Sequence, residues 1–544
     1  MKITFVAIGA EQMGLSILSG IAKKLGHEVN LAFSSSLFHD RFNLEIPWLA
    51  RFFDDRERVI RTIRETNPDV LVFSCLTSSY RWMLGIAEEA KNMNPEVKTI
   101  FGGVHVSGAP EYVIKNNCVD YMVIGEGELA FAPILNRIET GWNNNPIDNT
   151  WFRDNAGTVI KGPQKGFNQD LDSLAMDKTL WENDILVGDR YYYMTSRGCP
   201  YRCTFCFNNF FAELPDEKKS KGKYVRLKSV DSAINELLEG KKRYKNIRYI
   251  DFQDDVFTTD KEWLREFLPR YKNEIGVPFQ CLTHPKYMDD DIAKWMSEAG
   301  CIWIQLGVQS MDEGFKSKNL KRFERSDHIR TALASMKKYG IKVKVDHMFG
   351  LPGEPVEAQE KAWSLYVEYV PSRIQTFWTC FLPGTELLRE GIADGIVSKE
   401  EAERLNEGLD FYFFQNIDNI KDRDLIKTYK AYHFLFKIMP LLPKFIRMRL
   451  RAKHVKHIPT FITMPIAFMA DLSLGMLSGN PDFDAYSRHY LFYLYVLLKR
   501  KLGFETNITR LNLRGGQPKR SPFMPTGSIF ARQAAWQVPA SKEA

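Results

Sequence analysis

Three cysteines lie within eight residues in the stretch Thr195-Ser-Arg-Gly-Cys199-Pro-Tyr-Arg-Cys203-Thr-Phe-Cys206-Phe-Asn208. This stretch directly follows an apolar run, residues 191–195, that has the composition of a strand. Three thiolates on one short loop can hold three irons of a cubane cluster and leave the fourth iron open, whereas ordinary electron-transfer clusters take four cysteines. Because an open iron can bind a substrate, the stretch predicts a catalytic iron–sulfur site.

Two other uses of clustered cysteines fit this stretch less well. A structural zinc ion needs a fourth ligand, and the flanking candidates, His105 and His284, lie far along the chain. A disulfide would leave one thiol over. The remaining cysteines of the chain are scattered, so eight cysteines in 544 residues do not form a disulfide framework.

The sequence on both sides of the loop alternates strands with helices. After the loop, strand-like runs at residues 247–252, 279–283, 302–307, 341–348 and 374–381 complete a set of six. Such a series predicts an incomplete β/α barrel with its chemistry at the carboxyl ends of the strands. Before the loop, runs at residues 3–8, 29–33, 70–75, 97–101 and 121–124 predict a parallel, doubly wound sheet.

The predicted organisation is α/β throughout its first two domains. We expect a flavodoxin/Rossmann-like doubly wound domain at residues 1–140, a connecting segment at 141–188, an incomplete (β/α)6 barrel at 189–420, a mainly helical carboxyl-terminal region at 421–513, and a poorly ordered tail at 514–544.

The spacing CxxxCxxC, with an aromatic residue before the last cysteine, resembles the signature of the radical S-adenosylmethionine superfamily over roughly residues 191–414. The resemblance implies that Cys199, Cys203 and Cys206 ligate a 4Fe-4S cluster and that S-adenosylmethionine chelates its free iron. Reductive cleavage, with an electron from a low-potential donor such as flavodoxin or ferredoxin, then yields a 5′-deoxyadenosyl radical.

The same resemblance implies contacts with S-adenosylmethionine at the strand ends. They are Phe205 beside the adenine, Asp254 at the methionine amino group, Gln309 and Ser310 at the ribose, and Gly350 and Pro352, in the stretch Gly350-Leu-Pro-Gly353, at the adenine. Plainer roles also fit: a solvated turn for Asp254, a helix N-cap for Ser310 and an ordinary turn for Gly350.

Earlier in the chain, Ile100-Phe-Gly-Gly-Val-His105 and Val119-Asp-Tyr-Met-Val-Ile-Gly-Glu126 resemble the cobalamin-binding domain that precedes the radical domain in one large branch of the superfamily. Tandem glycines after a parallel strand permit close backbone approach to a flat ligand, although they also suit tight turns. The resemblance implies that cobalamin is contacted by Ser74, Thr77, Ser78, Gly102, Gly103, His105, Gly125 and Glu126.

One departure from the cobalamin pattern bears on the cobalt ligand. Many cobalamin proteins donate a histidine from an Asp-x-His-x-x-Gly loop after the first strand, and here that stretch is Gly9-Ala-Glu-Gln-Met-Gly14. We therefore expect cobalamin to bind without its own base and without a histidine from this loop.

The resemblance implies a cobalamin-dependent radical enzyme, and we expect a methyltransferase acting on an unactivated carbon, or a phosphinate phosphorus, of a small molecule or lipid. The alternative within the branch is radical chemistry without methyl transfer, such as oxidative cyclisation of a porphyrin precursor or ring contraction. A non-catalytic cobalamin-binding regulator would have no use for the cysteine loop. A tRNA methylthiotransferase would need three more cysteines in the first domain, where only Cys75 and Cys118 occur.

Charge and hydropathy indicate which partners and which cellular location to expect. A net charge of +7 is small for this length, so no nucleic-acid partner is expected. The first residues lack the apolar core and cleavage site of a secretory signal, which predicts a cytoplasmic location. Residues 444–457 carry six Lys/Arg and no acid, between apolar runs at 434–442 and 458–469. Two interpretations stay open: peripheral membrane contact through residues 434–469, or a solvated basic helix packed onto the barrel.

Overall fold

The computed structural model describes residues 1–40, 44–141, 144–154, 156–214, 222–245, 247–409, 420, 422–504 and 506–514. The predicted tail lies outside the described residues except for Arg514. Within these ranges the predicted α/β organisation is confirmed: two separate sheets are followed by a helical carboxyl-terminal region.

The amino-terminal domain is built on a seven-stranded sheet of order β2-β1-β5-β6-β7-β8-β9, in which β2, β1, β5, β6 and β7 pair in parallel. Its strands, with a separate small ladder of β3 and β4, are β1 (Lys2–Ile8), β2 (Glu28–Ser34), β3 (His39–Asp40), β4 (Leu44–Glu45), β5 (Val70–Ser74), β6 (Lys98–Gly102), β7 (Tyr121–Val123), β8 (Thr150–Arg153) and β9 (Val159–Lys161). Its helices are α1 (Met13–Lys24), α2 (Pro47–Phe52), α3 (Arg56–Thr66), α4 (Thr77–Met93), α5 (Val104–Gly108), α6 (Pro110–Val113) and α7 (Glu128–Thr140).

The hydropathy of the central strands reflects their position. β1 buries five consecutive residues because helices cover both faces of a parallel sheet. The segment 141–188, predicted only to connect the two domains, also contributes the antiparallel strands β8 and β9 to the sheet edge. The two strands are short, and β9 is only half-buried, so their hydropathy pattern is weak.

The second sheet has the order β10-β13-β14-β15-β16-β17, all parallel, and forms the incomplete barrel. Its strands, with the small ladder of β11 and β12, are β10 (Tyr191–Tyr193), β11 (Ser196–Arg197), β12 (Arg226–Leu227), β13 (Ile250–Phe252), β14 (Phe279–Thr283), β15 (Cys301–Gln309), β16 (Lys342–Phe349) and β17 (Arg373–Trp378). Its helices are α8 (Phe207–Phe211), α9 (Val230–Arg243), α10 (Lys261–Arg270), α11 (Asp290–Glu298), α12 (Glu313–Asn319), α13 (Ser326–Lys338), α14 (Glu357–Tyr369), α15 (Glu386–Ala393) and α16 (Lys399–Asn406).

The carboxyl-terminal region consists of α17 (Arg423–Ile438), α18 (Lys444–Arg449), α19 (Ala452–Val455), α20 (Thr460–Leu477), α21 (Pro481–Lys501) and α22 (Ile508–Arg514). α17 packs against β17 and α14, and α20 packs against α17. The first turn of α21 enters the barrel, where Asp482 accepts hydrogen bonds from Gln280 (2.8 Å) and Lys344 and pairs with Arg190 (2.9 Å). α21 therefore closes the barrel near the amino ends of its strands.

Candidate active site

The cysteine loop begins at a position that requires glycine. Gly198 has a φ of +82°, and a Cβ built on it would lie 2.3 Å from the carbonyl oxygen of Tyr224. The antiparallel ladder between β11 and β12 brings the two segments together. Any side chain at Gly198 would push this ladder apart, so the entry to the loop is fixed by backbone contact.

The three thiols lie close enough to influence one another. Cys203 is buried, and Cys199 and Cys206 are half-buried. Burial, and to a smaller extent the neighbouring thiols, raises the pKa of Cys199 and of Cys206 to about 12. In the described part of the chain, no three His, Cys, Asp or Glu side chains are grouped so that they could hold a single ion. A cubane offers a separate iron to each thiolate, so the three loop cysteines fit a cluster better than a lone ion.

Two side chains aim N–H groups at the sulfur atoms. Arg322 Nη1 lies 3.7 Å from Cys203 Sγ, and Asn208 Nδ2 lies 3.8 Å from Cys206 Sγ. The hydroxyl of Tyr224 donates to Asn208 Oδ1, which orients the amide with its N–H groups towards the sulfur. Such donors stabilise thiolate charge and tune the reduction potential of a cluster.

A buried ion network holds Arg322 in place. Glu324 accepts from Arg322 Nε (3.1 Å), Lys316 Nζ (3.0 Å) and His284 Nε2 (3.2 Å). Burial lowers the pKa of His284 to about 4, so its ring is neutral at pH 7. Burial would raise the pKa of Glu324, but Arg322 and the hydrogen bond from His284 hold it well below its usual range. His284, which stacks on Tyr201 of the loop, is thus part of the support of the cluster site rather than a zinc ligand.

The two adjacent aspartates after β13 have different surroundings. Asp254 is fully buried beneath the loop, where its carboxylate accepts from the backbone N–H of Thr195 (3.1 Å) and from the hydroxyls of Thr195 and Ser196. Asp255 interacts instead with Asn208 and the cluster cysteines, and burial raises its pKa to about 6. The contact of Asp254 with the methionine amino group stays a prediction, and the structure places Asp255 nearer to the cysteines.

The predicted adenine residues come together. Phe205 packs against the apolar cluster of Phe315, Leu320, Met348 and Leu351, so it lies beside the stretch Gly350-Leu-Pro-Gly353. Gly350 and Gly353 have φ values of +72° and +76°, which lets this stretch turn tightly after β16. Pro352, between them, is half-buried. This proximity supports the predicted roles of Phe205, Gly350 and Pro352 without testing them.

Gln309 and Ser310, the predicted ribose residues, end the neighbouring strand in different ways. Gln309 has a φ of +63°, a strained conformation for a residue other than glycine that is typical of functional sites. Ser310 is fully buried, and its hydroxyl donates to Glu354, whose pKa burial raises to about 8. The N-cap of the following helix is Asp312, not Ser310.

The carboxyl edge of the amino-terminal sheet opens into a cavity of about 390 Å³. It is lined by the loops after β1, β2 and β5, including Gly9, Gln12, Ser35 and Ser78, and by α21 from the other side. Glu11 and Gln12 each keep one buried side-chain oxygen without a hydrogen-bond partner among the described residues. A cobalamin, whose corrin ring carries amide N–H donors, fits such acceptors, and Gly9 and Gly102 leave space beside their backbones.

Other predicted cobalamin residues are engaged within the protein. Gly103 has a φ of +98°, and a Cβ there would lie 2.7 Å from the backbone nitrogen of Cys75, so this glycine allows two backbones to meet. His105 is buried, stacks on Tyr80 at 4.2 Å and hydrogen-bonds Thr77 at 3.2 Å. Ser74, at the end of β5, is half-buried.

Gly125 and Glu126 lie at the contact between the two domains. The backbone N–H of Gly125 donates to Ser107 at 2.9 Å. Glu126 pairs with Arg226 (2.7 Å) and Arg197 (3.3 Å), which flank the cysteine loop on β12 and β11. Glu126 therefore connects the amino-terminal domain to the base of the cluster loop.

The barrel encloses a second, polar cavity of about 400 Å³. Its lining includes four glutamines, Gln253, Gln280, Gln305 and Gln375, and three cations, Arg190, Lys344 and Arg373. Arg190 and Tyr486 line this cavity and also the one at the amino-terminal sheet. The two cavities therefore adjoin at Arg190, which precedes β10, and at Tyr486 of α21.

Asp346 lies above the charged floor of the barrel cavity. It faces inwards because it is two residues from Lys344 on β16, and Gln305 donates to its Oδ2 at 2.7 Å. Its Oδ1 is buried with no hydrogen-bond partner among the described residues. Burial raises its pKa to about 6, opposed by Lys344 below and, more weakly, by Arg322 beside Cys203. The carboxyl group thus lies between the cluster side and the floor.

The three-cysteine loop and the two adjoining cavities fit an enzyme that uses both an open-iron cluster and a corrin. Family models agree: residues 9–135 match the B12 binding domain and residues 193–362 match the radical SAM superfamily. The chain belongs to the cobalamin-binding radical S-adenosylmethionine enzymes, and its cofactors are a 4Fe-4S cluster, S-adenosylmethionine and cobalamin.

Known proteins resemble the chain over most of its length. It is 28% identical to an uncharacterized methyltransferase, PH0819, of Pyrococcus horikoshii, over 73% of this chain and 84% of that protein. It is 24% identical to cytidylyl-2-hydroxyethylphosphonate methyltransferase of Streptomyces wedmorensis, over 72% and 79%. The fold resembles the cobalamin-dependent S-adenosylmethionine radical enzyme OxsB, with a TM-score of 0.62, 13% identity, and 94% of this chain and 83% of that chain covered.

Several residues of the site were not predicted from the sequence. Arg322 lies 119 positions from Cys203, and Asp346 is a single acid within a strand that alternates polar with apolar residues, so neither belongs to a local motif. His489 and Tyr486 of α21 line the cavity at the carboxyl edge of the amino-terminal sheet, which we call the corrin-side cavity. The sequence predicted this region only to be helical. The one available signal was the i, i+2 alternation of polar residues in β14 to β17, which marks the inner face of the barrel.

Proposed function

We propose that this enzyme is a radical methyltransferase of class B type, which methylates an unactivated carbon, or a phosphinate phosphorus, of a small polar molecule or of the polar part of a lipid. The observation that supports it is the junction of the corrin-side cavity with the barrel cavity at Arg190 and Tyr486. A substrate in the barrel would be open to the cluster side above it and to the corrin side beside it.

When bound, the cluster with S-adenosylmethionine supplies a hydrogen-abstracting radical, and cobalamin supplies the methyl group. The residues that would hold the cluster are Cys199, Cys203 and Cys206, with Arg322 and Asn208 donating to sulfur. Gly9, Gln12 and Ser78 would contact cobalamin, and Phe205 with the stretch Gly350-Leu-Pro-Gly353 would enclose the adenine.

The chain's own contribution to the substrate is orientation. The cations of the barrel floor are already paired: Arg190 with Asp251 (2.5 Å) and Asp482, and Arg373 with Asp471 (2.7 Å). Two buried carboxylate oxygens, Asp251 Oδ1 at the floor and Asp346 Oδ1 above it, keep no hydrogen-bond partner among the described residues, and Asp346 is the one that also senses Arg322 beside Cys203. We propose that Asp346 accepts a hydrogen bond from a hydroxyl or amine of the substrate, which would hold the reacting carbon or phosphorus towards the cluster side.

The polar lining favours a substrate rich in hydrogen-bonding groups. The phosphonate methyltransferase that resembles this chain is named for a cytidylyl-linked substrate, which is of this kind. We propose a cytoplasmic enzyme that receives electrons from a small low-potential carrier such as flavodoxin or ferredoxin.

The test is to count products after anaerobic reconstitution with all three cofactors and candidate metabolites. Methylation gives both 5′-deoxyadenosine and S-adenosylhomocysteine, with mass gain on the metabolite. Formation of deoxyadenosine alone would point to cyclisation or ring contraction. Absence of both products would point to a regulator. Either result would contradict the proposal.

A further inference from the structure

Helix α20 buries its small residues and exposes its large apolar ones, which is the reverse of the usual arrangement of a helix on a protein surface. Four of its buried positions, Thr463, Ala467, Ala470 and Leu474, recur at intervals of four, three and four and form one narrow stripe, and Gly475 is buried beside it. Large apolar side chains occupy the opposite side with 39% to 77% of their surface exposed: Phe461, Ile462, Met464, Ile466, Phe468, Met469, Met476 and Leu477. A surface helix normally buries its large apolar residues.

The exposed apolar surface continues into the neighbouring elements. Leu441, Phe445, Met448 and Ile458, in and around α18 and α19, are exposed by 40% to 62%. In contrast, the other apolar run predicted to flank the basic stretch, residues 434–442, is mostly buried: Leu435, Phe436 and Met439 are fully covered, and exposure begins at its end with Leu441. Only one of the two flanks therefore packs onto the barrel. We refer to the exposed side of residues 441–477 as the α18–α20 face.

The orientation of α20 is fixed by a polar anchor. Asp471 accepts both Arg373 Nε (3.0 Å) and Arg373 Nη2 (2.7 Å) and lies 3.5 Å from Lys437 Nζ. Just beyond the helix, Lys342 Nζ donates to the carbonyl oxygen of Ser478 at 2.7 Å. α20 is long and apolar enough to span a bilayer by length and composition. Spanning would take Asp471 from its partners into hydrocarbon, so the contacts favour a helix lying along the surface.

The charge on this face has one sign. Arg451 pairs with Glu360 and Lys456 with Asp424. The four other cations of residues 444–457 form no ion pair with another described residue: Lys444, Arg447, Arg449 and Lys453. Unpaired cations beside exposed Phe, Ile, Leu and Met are the combination that binds anionic bilayers, where the apolar groups enter the headgroup boundary.

We propose that the α18–α20 face docks the enzyme on an anionic lipid surface, with α20 lying in the plane of the interface. The charge complementarity favours this occupant over a second copy of the chain, which would bring the same unpaired cations into contact with each other. The proposal rests on surface residues alone and holds whichever substrate the barrel takes.

The experiment is flotation of the reconstituted full-length protein with vesicles of phosphatidylcholine alone or with 30% phosphatidylglycerol (about one anionic lipid in three, enough for a negative surface potential). We expect binding to the anionic vesicles, at least tenfold weaker binding to neutral ones, and loss of binding as salt increases. Absence from the lipid fraction of both vesicles at low salt would overturn the proposal.

Variants separate the two contributions. Arg447→Gln/Arg449→Gln/Lys453→Gln and, separately, Phe461→Ser/Phe468→Ser/Met469→Ser should each lower binding at least tenfold. A matched change of exposed cations on the barrel, Lys242→Gln/Lys272→Gln/Lys294→Gln, should leave binding within twofold. Iron content and circular dichroism confirm folding. Equal binding by both face variants and the wild type contradicts the proposal.

Two further readouts identify other occupants. The chain already contains eleven tryptophans, so the readout is the difference in emission between a Phe468→Trp variant and the wild type. On anionic vesicles this difference should be blue-shifted, and shallow brominated lipids should quench it more than deep ones. Stronger quenching by deep probes would indicate a spanning helix and overturn the docking geometry. Light scattering tests for a dimer. If the wild type is a dimer, the apolar variant is a monomer and neither floats with vesicles, the face binds a second copy of the chain instead.

Discussion

The cluster loop and the floor of the barrel are built on opposite principles. The loop gathers its three thiols within eight residues, and a glycine at its start and short-range contacts set its shape. The floor gathers Arg190, Lys344 and Asp482 from positions up to 292 residues apart, 482 minus 190, on three separate elements. Local sequence thus determines the class of chemistry, whereas long-range packing determines the space in which a substrate would react.

The largest effect should come from removing the loop's sulfur atoms. Replacing Cys199, Cys203 and Cys206 together by Ala should abolish bound iron and sulfide and reduce deoxyadenosine formation below detection, since no other described group can take their place. Cys75→Ala serves as the control, because this thiol is buried in the amino-terminal domain. A cluster that survives the triple replacement would contradict the assignment of the loop.

Removing a single charge from the floor of the barrel should lower the stability of the protein. Asp482→Asn removes the carboxylate between Lys344 and Arg190. Arg190 keeps its pair with Asp251, but Lys344 loses its ion pair, and breaking a buried pair in this way destabilises a protein by about 3 to 5 kcal/mol. Urea unfolding of the full chain measures it. Asp484→Asn, two residues further on α21, loses only partly exposed pairs with Arg488 and Arg248 and should cost less than about 1 kcal/mol. Equal effects of the two variants would show that α21 does not close the barrel.

The contrast also explains what the sequence could predict. The positions of the parallel strands in both sheets follow from local periodicity, and the structure has them within a few residues of the predicted runs. The ligand role of the three cysteines and the cobalamin contacts of the tandem glycines rest on spacing and resemblance, and they stay predictions. Which of Asp254 and Asp255 faces the cysteines depends on how the chain turns after β13, which no pattern determines. The approach of Arg322 to Cys203, and of α21 to both cavities, depends on tertiary packing of elements whose own sequences carry only helix and strand signals.

Asp346 lies between the cluster loop and the floor of the barrel, and its substitution should have a smaller, pH-dependent effect on the free energy of unfolding. Its pKa is raised from 3.8 to about 6 in the fold, so the folded state favours the protonated carboxyl, and its contribution to stability is present below pH 3.8 and lost as the pH rises through 6. Asp346→Asn has no carboxyl group to ionise, so this loss of stability at higher pH does not occur in the variant. We expect the variant to match the wild type near pH 4 and to exceed it by up to about 3 kcal/mol at pH 7 and above.

Unfolding of both proteins between pH 4 and 8 checks this prediction, and product counting adds a second readout. If Asp346 holds the substrate, the variant gains stability but loses at least tenfold in turnover. Gln375→Ala, which removes a neutral group from the barrel cavity, is the comparison and should leave the pH dependence of stability unchanged. A variant less stable than the wild type at pH 7 would show that contacts of the ionised carboxylate, such as the hydrogen bond from Gln305, outweigh the cost of its burial.

The smallest expected effect concerns the cobalt ligand. The loop at residues 9–14 has no histidine, but His489 of α21 lines the same cavity. The His489 ring packs against Tyr493 one turn further along the helix, with the ring centroids 4.5 Å apart, and we expect this contact to persist when cobalamin binds. We therefore expect bound hydroxocobalamin to show the base-off absorption spectrum, and His489→Ala to leave that spectrum and the nitrogen hyperfine pattern of the reduced cobalt unchanged. A histidine-ligated spectrum in the wild type that disappears in His489→Ala would assign the ligand to α21, and the carboxyl-terminal region would then belong to the cofactor site as closely as the cysteine loop does.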